Sequence, residues 1–293
     1  MADVDLFSML EDMGGTEVSS APLKPLFGYP GGKSRSVKHI LPHIPESQVY
    51  VEAFGGSAAL LLAKPKSRLE VYNDKYAGVV DFYRCMRSKK MSEDLANWLE
   101  LTVHSSEEWF YCHETWKDCT DPVERAARWY YMTVYSFAQI GRNFGRSTKF
   151  PNALSGKIKG KLPFFSLIHD RFHRVQVENT DAMTLLETYD GPDTVFYLDP
   201  PYVDSHDGAY KHEMRQAQHR ELLDKIFSLE GYVAVSGYEN PIYDNQSWDD
   251  RITWDVSVSL QAGSAKAPGK EYLNGTDGTK SKAKEVLWIK EFS

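Results

Sequence analysis

The chain has 293 residues, 42% hydrophobic and 26% charged, with 34 basic against 41 acidic side chains and a net charge of −7. That composition describes a globular protein with room for one large domain or two modest ones, and it excludes wholesale disorder, a collagen-like repeat and a disulfide scaffold. An acidic total also speaks against a nucleic-acid partner, because phosphate binding draws on Lys and Arg. Cys85, Cys112 and Cys119 are too few and too unevenly spaced for a disulfide framework or a tetrahedral zinc site. They are expected to be reduced thiols, and no metal is expected. No apolar run of about 18 residues predicts a membrane span. The N-terminus has no basic region followed by an apolar run, so a cytoplasmic protein is expected.

In chain order, residues 1–24 open as an acidic tail with Asp3, Asp5, Glu11, Asp12 and Glu17. A short helix is expected over Ser36–Ile40. Val49–Glu52 reads as a buried strand, followed by a helix over Ala58–Ala63. Leu69–Tyr72 reads as a second strand. Val79, Val80, Phe82, Tyr83 and Met86 then mark the apolar face of a helix. The stretch Ser92–Phe137 is helical in pattern and rich in Trp and Tyr. It fits no strand–helix–strand unit, so it is expected to open an inserted helical subdomain over 91–174. Val175–Val177, Thr194–Leu198 and Tyr232–Ser236 read as the next three strands, with a helix marked by Leu222, Leu223, Ile226 and Phe227 before the last. Ile252–Val258 and Glu285–Ile289 alternate as an antiparallel pair. Between them, 261–284 reads as a flexible basic loop. Seven strands with intervening helices predict an α/β fold with a mostly parallel sheet and a hairpin at one edge.

Charge is unevenly distributed. Ten basic residues and one acid, Asp170, lie between Arg125 and Val175, which gives this segment +9 and leaves −16 for the rest.

Several segments carry chemistry. Gly28–Ser34 invites a phosphate-loop reading, but only three residues separate Gly28 from Gly32, and Pro22 and Pro25 break any preceding strand. A plain turn and a ligand-binding turn with Lys33 facing an anionic group both remain open. Phe54-Gly55-Gly56-Ser57 ends the first strand with small residues that allow a ligand to approach the backbone. Asp74 follows the second strand about twenty residues later, where an acid can bond ribose hydroxyls or simply cap the next helix. Asp181 follows the third strand. Asp199-Pro200-Pro201-Tyr202 follows the fourth and is the most specific feature. The two prolines restrict the backbone and remove two N–H donors. Asp199 and the Pro200 carbonyl are thereby placed to accept both hydrogens of an exocyclic amino group, and Tyr202 to stack on the ring that bears it.

Taken in order, these segments resemble the D12-class (Dam-like) N6-adenine DNA methyltransferases, with the alpha motif order and a span from Pro25 to Phe292. Tyr29, Pro30 and Lys33 resemble the N-terminal cofactor motif. Phe54, Gly55, Gly56 and Ser57 resemble the glycine-rich turn, with Ala58 standing where the pattern often has its second glycine. Asp74 resembles the ribose-binding acid, and Asp181 the acid near the cofactor adenine. Asp199, Pro200, Pro201 and Tyr202 resemble the catalytic motif, in which Asp199 also adjoins the cofactor.

The resemblance implies a Rossmann-like S-adenosylmethionine-dependent methyltransferase sheet built from 25–90 and 175–293, with a mainly helical DNA-recognition insert at 91–174. It implies an adenine-specific DNA methyltransferase that flips its target base out of a specific double-stranded sequence. Arg142, Asn143, Arg146, Lys149 and Asn152 are the candidate DNA contacts. A bacterial or phage source and a cognate restriction endonuclease as partner fit the same reading, with a monomer or a dimer left open. Three rival readings stay open: another acceptor (cytosine N4 or an RNA adenine), a catalytically dead DNA-binding decoy, and a P-loop ATPase.

Overall fold

A computed structural model describes residues 22–146, 156–203, 214–258 and 281–292. All seven expected strands are present: β1 (Val49–Glu52), β2 (Leu69–Asn73), β3 (Gln176–Glu178), β4 (Thr194–Leu198), β5 (Tyr232–Tyr238), β6 (Asp250–Val258) and β7 (Ser281–Lys290). They form one sheet in the order β3-β2-β1-β4-β5-β7-β6. The first five strands run parallel. Strand β7 runs antiparallel both to β5 and to β6, which puts the hairpin at one edge. The short runs of β-branched and aromatic residues in β1, β2 and β4 are covered on both faces, which is why they read as apolar blocks rather than alternating ones.

Strand β7 starts at Ser281, four residues earlier than the sequence pattern predicts. Its pairing with β6 continues to Val258↔Ser281, because ladder hydrogen bonds need backbone and not apolar side chains. The last residues of the expected basic loop are therefore strand, and 261–280 lie outside the described residues. The expected helix at Ser36 is also shifted. A 3₁₀ turn over Lys33–Arg35 comes first, and α1 covers Val37–Ile40. The acidic segment 1–21 lies outside the described residues.

The pleat sorts the core into two layers. Val51, Val71, Phe196, Leu198, Val233 and Val235 face one side, against Leu185 and Leu186 of α8 (Ala182–Tyr189) and Leu222, Leu223 and Ile226 of α9 (Gln216–Ile226). Tyr50, Tyr72, Val195, Tyr197 and Ala234 face the other. There they meet α2 (Ala59–Ala63), α3 (Ala77–Met86), α4 (Lys89–Leu101), α6 (Pro122–Val134) and α7 (Phe165–Phe172). Between α4 and α6 runs α5 (Ser106–Thr115), whose Trp109 and Cys112 are buried in the same layer. The α10 turn (Pro241–Asp244) closes the opposite layer through Tyr243.

The segment expected as an insert therefore shares a continuous hydrophobic core with the sheet. Its tightest junction is α3 against α6, where a Cβ on Gly78 would stand 2.2 Å from the Trp129 ring. Only glycine admits the indole there. Each helix starts on its own signal: Ser88, Ser105 and Asp121 accept the N–H of Met91, Glu108 and Glu124 at α4, α5 and α6, and Pro122 occupies the first turn of α6.

The charge count of this segment overstates its free positive surface. Arg125 is bound to Asp81 at 2.8 Å, Arg128 to Glu124 at 2.6 Å, and buried Arg171 to Glu70 and the Leu61 carbonyl. Arg125 ties α6 to α3, Arg128 also bonds Tyr111 and Thr115 of α5, and Arg171 ties α7 to β2 and α2. The three cysteines are free thiols, and burial pushes that of Cys85 up to about 12.

Candidate active site

Parallel pairing places the C-terminal ends of β1, β2, β3 and β4 side by side on one edge of the sheet. Asn73 locks three of these ends together. Its amide donates to the Ala53 carbonyl at 2.9 Å and to the Thr180 carbonyl at 3.2 Å, and its oxygen accepts the Thr180 N–H at 2.9 Å. A buried Asn at the end of an apolar strand is the only sequence signal for this clamp, and the motif reading passed it over.

A cleft of about 340 Å³ opens along that edge. It is lined by all ten residues expected around the cofactor: Tyr29, Pro30, Lys33, Phe54, Gly55, Gly56, Ser57, Asp74, Asp181 and Asp199. The cleft wall also includes Glu52, which ends the first strand and opens the glycine-rich segment but is not among the residues expected to bind the cofactor.

The glycine-rich turn is shaped by two constraints. A Cβ on Gly55 would lie 2.2 Å from the Tyr72 ring, whose hydroxyl donates to the Gly56 carbonyl at 2.7 Å. The turn therefore sits flat on an aromatic floor. Two residues on, Ala58 has φ 55° and ψ 33° and is fully buried. A left-handed conformation costs a non-glycine residue about 1–2 kcal/mol. The departure from the glycine pattern at this position is thus a strained residue at the entrance to α2.

Asp74 does two jobs at once. It accepts the Gly56 N–H at 2.9 Å and the Tyr76 N–H at 2.8 Å, so it ties the glycine-rich turn to the start of α3. Burial pushes its carboxyl up to about 6, against the lowering pull of those N–H groups and the Tyr29 hydroxyl. The N-cap of α3 is Tyr76 and carries no side-chain cap, so Asp74 braces the turn before the helix and does not cap it, and with three donors on its carboxylate an acceptor site remains for a ligand. Burial likewise raises Glu52 to about 7, although it accepts the Tyr50 hydroxyl at 2.8 Å. Asp181 is the N-cap of α8, accepting the Met183 N–H at 3.0 Å, and its exposed side chain meets Lys75 at 3.3 Å.

The Asp-Pro-Pro-Tyr segment stands where the cleft meets a second depression of about 50 Å³. Asp199 faces the cleft, Pro200 and Tyr202 face the depression, and Pro201 lines both. Lys33 is almost wholly buried beside it. Its ammonium donates to the Asp199 carboxylate at 2.7 Å, to the Tyr202 hydroxyl at 2.7 Å and to the Gly31 carbonyl at 2.8 Å. The anionic group that Lys33 meets is thus a side chain of this protein. Ser236 on β5 donates to Asp199 at 3.0 Å and bonds the Tyr197 hydroxyl at 2.8 Å. Burial holds the Asp199 carboxyl above the usual range, with Lys33 pulling it down. A lysine so placed, bonded to a carboxylate 166 residues away, speaks against a phosphate loop.

Of the candidate DNA contacts, Arg142, Asn143 and Arg146 are exposed on one tight loop after α6. An isolated bridge pairs Ser136 with Phe144, and the Ser136 hydroxyl accepts the Gly141 N–H at 2.7 Å. Ala138 and Gln139 are both left-handed, at φ 53° and 57°. The Gln139 side chain accepts the Gly28 N–H at 2.6 Å, and Gln139, Ile140 and Arg142 reach the cleft wall. Lys149 and Asn152 lie outside the described residues. Among the described residues no cluster of His, Cys, Asp and Glu could hold a metal ion, and no helix is long and apolar enough to cross a membrane.

Comparison with curated proteins finds no match to this chain. Comparison with protein families finds one across residues 29–245, about three-quarters of the sequence, and those residues include every one of the strand-end motifs around the cleft. With this sheet order and this array of strand ends, the chain belongs to the D12 class N6 adenine-specific DNA methyltransferases.

Proposed function

We propose that the chain transfers a methyl group from S-adenosylmethionine to the exocyclic N6 of an adenine flipped out of a specific double-stranded DNA sequence. The observation that carries this reading is the position of Asp199 at the junction of the two depressions, with Tyr202 on the far side. A base stacked on Tyr202 would present its amino group to Asp199, with the cleft beyond.

The cleft fits the cofactor in size and in chemistry. About 340 Å³ lies within the range of small-molecule sites. Asp74 offers acceptors to ribose hydroxyls, Phe54 and Met183 offer apolar surface to a purine, and the acids Glu52 and Asp74 suit a cationic ligand. Bound there, S-adenosylmethionine supplies a methyl group already activated on a sulfonium. The protein's task is the acceptor, whose nitrogen lone pair is delocalised into the ring. Asp199 and the Pro200 carbonyl each accept one amino hydrogen. That favours a pyramidal nitrogen with its lone pair turned to the cleft, and the positioning and the charge stabilisation are each worth several kcal/mol. No protein nucleophile is required. Tyr202 holds the base by stacking, worth about 1–3 kcal/mol.

Adenine N6 is out of reach in a stacked duplex, so the base leaves the helix. Arg142, Asn143 and Arg146 project from a loop that also borders the cleft, which supports a role in gripping DNA where the base leaves it. Lys149 and Asn152 belong to the same proposed contact set. Enzymes of this chemistry pair with restriction endonucleases or act alone, and the first is the partner to look for.

The test is methyl transfer from labelled S-adenosylmethionine to DNA, followed by nucleoside analysis. N6-methyladenine in DNA is the expected product. Methylcytosine, methylated RNA, or no transfer would replace this reading with one of its rivals.

A further inference from the structure

We propose that Glu285, on β7, is a positioning residue that sets Tyr202 and receives the Lys33 ammonium when the acceptor amine takes over Asp199. The proposal rests on the methyl-transfer reading above.

Glu285 lies 86 residues after Asp199 in sequence, yet its buried carboxylate completes the same cluster. One oxygen accepts the Tyr202 hydroxyl at 3.2 Å and stands 3.9 Å from the Lys33 ammonium. The other accepts the Ser36 hydroxyl, and Ser36 in turn accepts the Trp254 indole N–H at 3.3 Å. Strand pairing holds Glu285 rigidly, since β7 sets it opposite Tyr238 on β5 and Trp254 on β6.

The donor count fixes the direction of every bond. A carboxylate only accepts, so the Tyr202 hydroxyl donates to Glu285 and must offer its lone pair to Lys33. The Lys33 ammonium has three N–H groups, and Gly31, Asp199 and Tyr202 use all three. The Asp199 oxygens needed for an incoming amino group are therefore engaged by Lys33 and Ser236. Amine binding adds a donor to a carboxylate that already takes Lys33 on both oxygens and Ser236 on one, so the Lys33 N–H it displaces turns to another acceptor. Glu285, just beyond hydrogen-bond reach, is that acceptor. The exchange keeps the ammonium paired throughout, which matters because a buried unpaired charge is costly.

The charge consequence can be measured. The groups facing Asp199 are Lys33 from the N-terminal turn, Tyr197 and Tyr202 from β4 and its end, Tyr238 from β5 and Glu285 from β7. Glu285 and Asp199 repel, so neutralising Glu285 makes Asp199 easier to ionise.

The experiment uses the full chain with Glu285→Gln, Tyr202→Phe and the double variant. Each single variant is expected to slow single-turnover methyl transfer about tenfold, while S-adenosylmethionine affinity stays within about threefold. In Glu285→Gln the acid limb of the rate profile should move to lower pH. The double variant should be no slower than the slower single, because both act through one Lys33–Tyr202–Glu285 chain. A Glu285→Gln enzyme with wild-type rate and wild-type acid limb overturns the proposal, as does additivity in the double variant. If Glu285→Gln does not fold, Ser36→Ala, which frees one Glu285 oxygen, should slow transfer in the same way, and an unchanged rate there overturns it. Absence of N6-methyladenine with the unmodified protein would instead overturn the methyl-transfer reading.

Discussion

Buried Lys33 holds Asp199 at 2.7 Å, so the acid proposed to receive the target amine already carries a charged partner. Lys33 lowers the Asp199 carboxyl against the upward push of burial. Lys33→Met should therefore raise it. Methyl transfer requires the ionised acid, so the acid limb of the rate profile should move to higher pH, opposite to the shift expected for Glu285→Gln. Asp199→Ala should abolish transfer and leave cofactor affinity within roughly tenfold. Turnover retained in Asp199→Ala would remove Asp199 from the mechanism.

Cofactor affinity should depend on pH through Asp74 and Glu52. Both are raised by burial, to about 6 and about 7. A cationic, hydroxyl-bearing ligand favours their ionised forms, so binding should release protons and weaken as pH falls from 8 to 5.5. Calorimetry in buffers of different ionisation enthalpy measures the released protons. Without ligand the linkage runs the other way: folding raises both pKa values, so these groups take up protons on folding and their contribution to stability falls as pH rises from about 4 to 7. Affinity that is flat across that range would exclude both acids from the contact.

The glycine-rich turn should respond sharply to single methyl groups. Gly55→Ala drives a Cβ into the Tyr72 ring and should cost about 1–3 kcal/mol of stability together with cofactor binding. At Ala58, glycine relieves the left-handed strain but loosens the unfolded chain, so Ala58→Gly should shift stability by less than about 1 kcal/mol. Ala58→Val adds a β-branched side chain to the same conformation and should be strongly destabilising. Thermal melts of the three variants decide the ranking.

Removing the charges of Arg142 and Arg146 should weaken DNA binding and flatten its dependence on salt by about 1–2 in the log–log slope. Arg125 and Arg128 are bound to acids, so their removal should leave that slope unchanged. An unaltered slope in the Arg142 and Arg146 variant would send the DNA to a different face.

Local pattern carried the sheet well. The blocks Val49–Glu52, Leu69–Tyr72 and Thr194–Leu198 are strands because apolar, β-branched runs of that length suit a sheet covered on both faces, and each is stopped by a turn residue. The strand-end motifs were legible for the same reason, since parallel strands must deliver their C-terminal turns to one edge. Contacts between distant segments were not. Nothing around Lys33 announces Asp199 as its partner, and Glu285 reads as an ordinary polar residue before the apolar end of a strand. Asn73 joins three loops through bonds spanning 20 and 107 residues. The summed charge misled in both directions. It hid a basic segment within an acidic total, and that segment in turn hid three arginines bonded within the fold.

The fit of Trp129 over Gly78 has a practical consequence for anyone who would retarget this protein. The helices between β2 and β3 look like a cassette, but α6 is welded to α3 and shares its core with the sheet. Exchanging the whole of 91–174 for the corresponding stretch of a relative would tear open the interior. Graft boundaries that keep α6, α7 and the buried Tyr135, Ser136 and Ile158 in place lie inside it, after Ser136 and before Ile158.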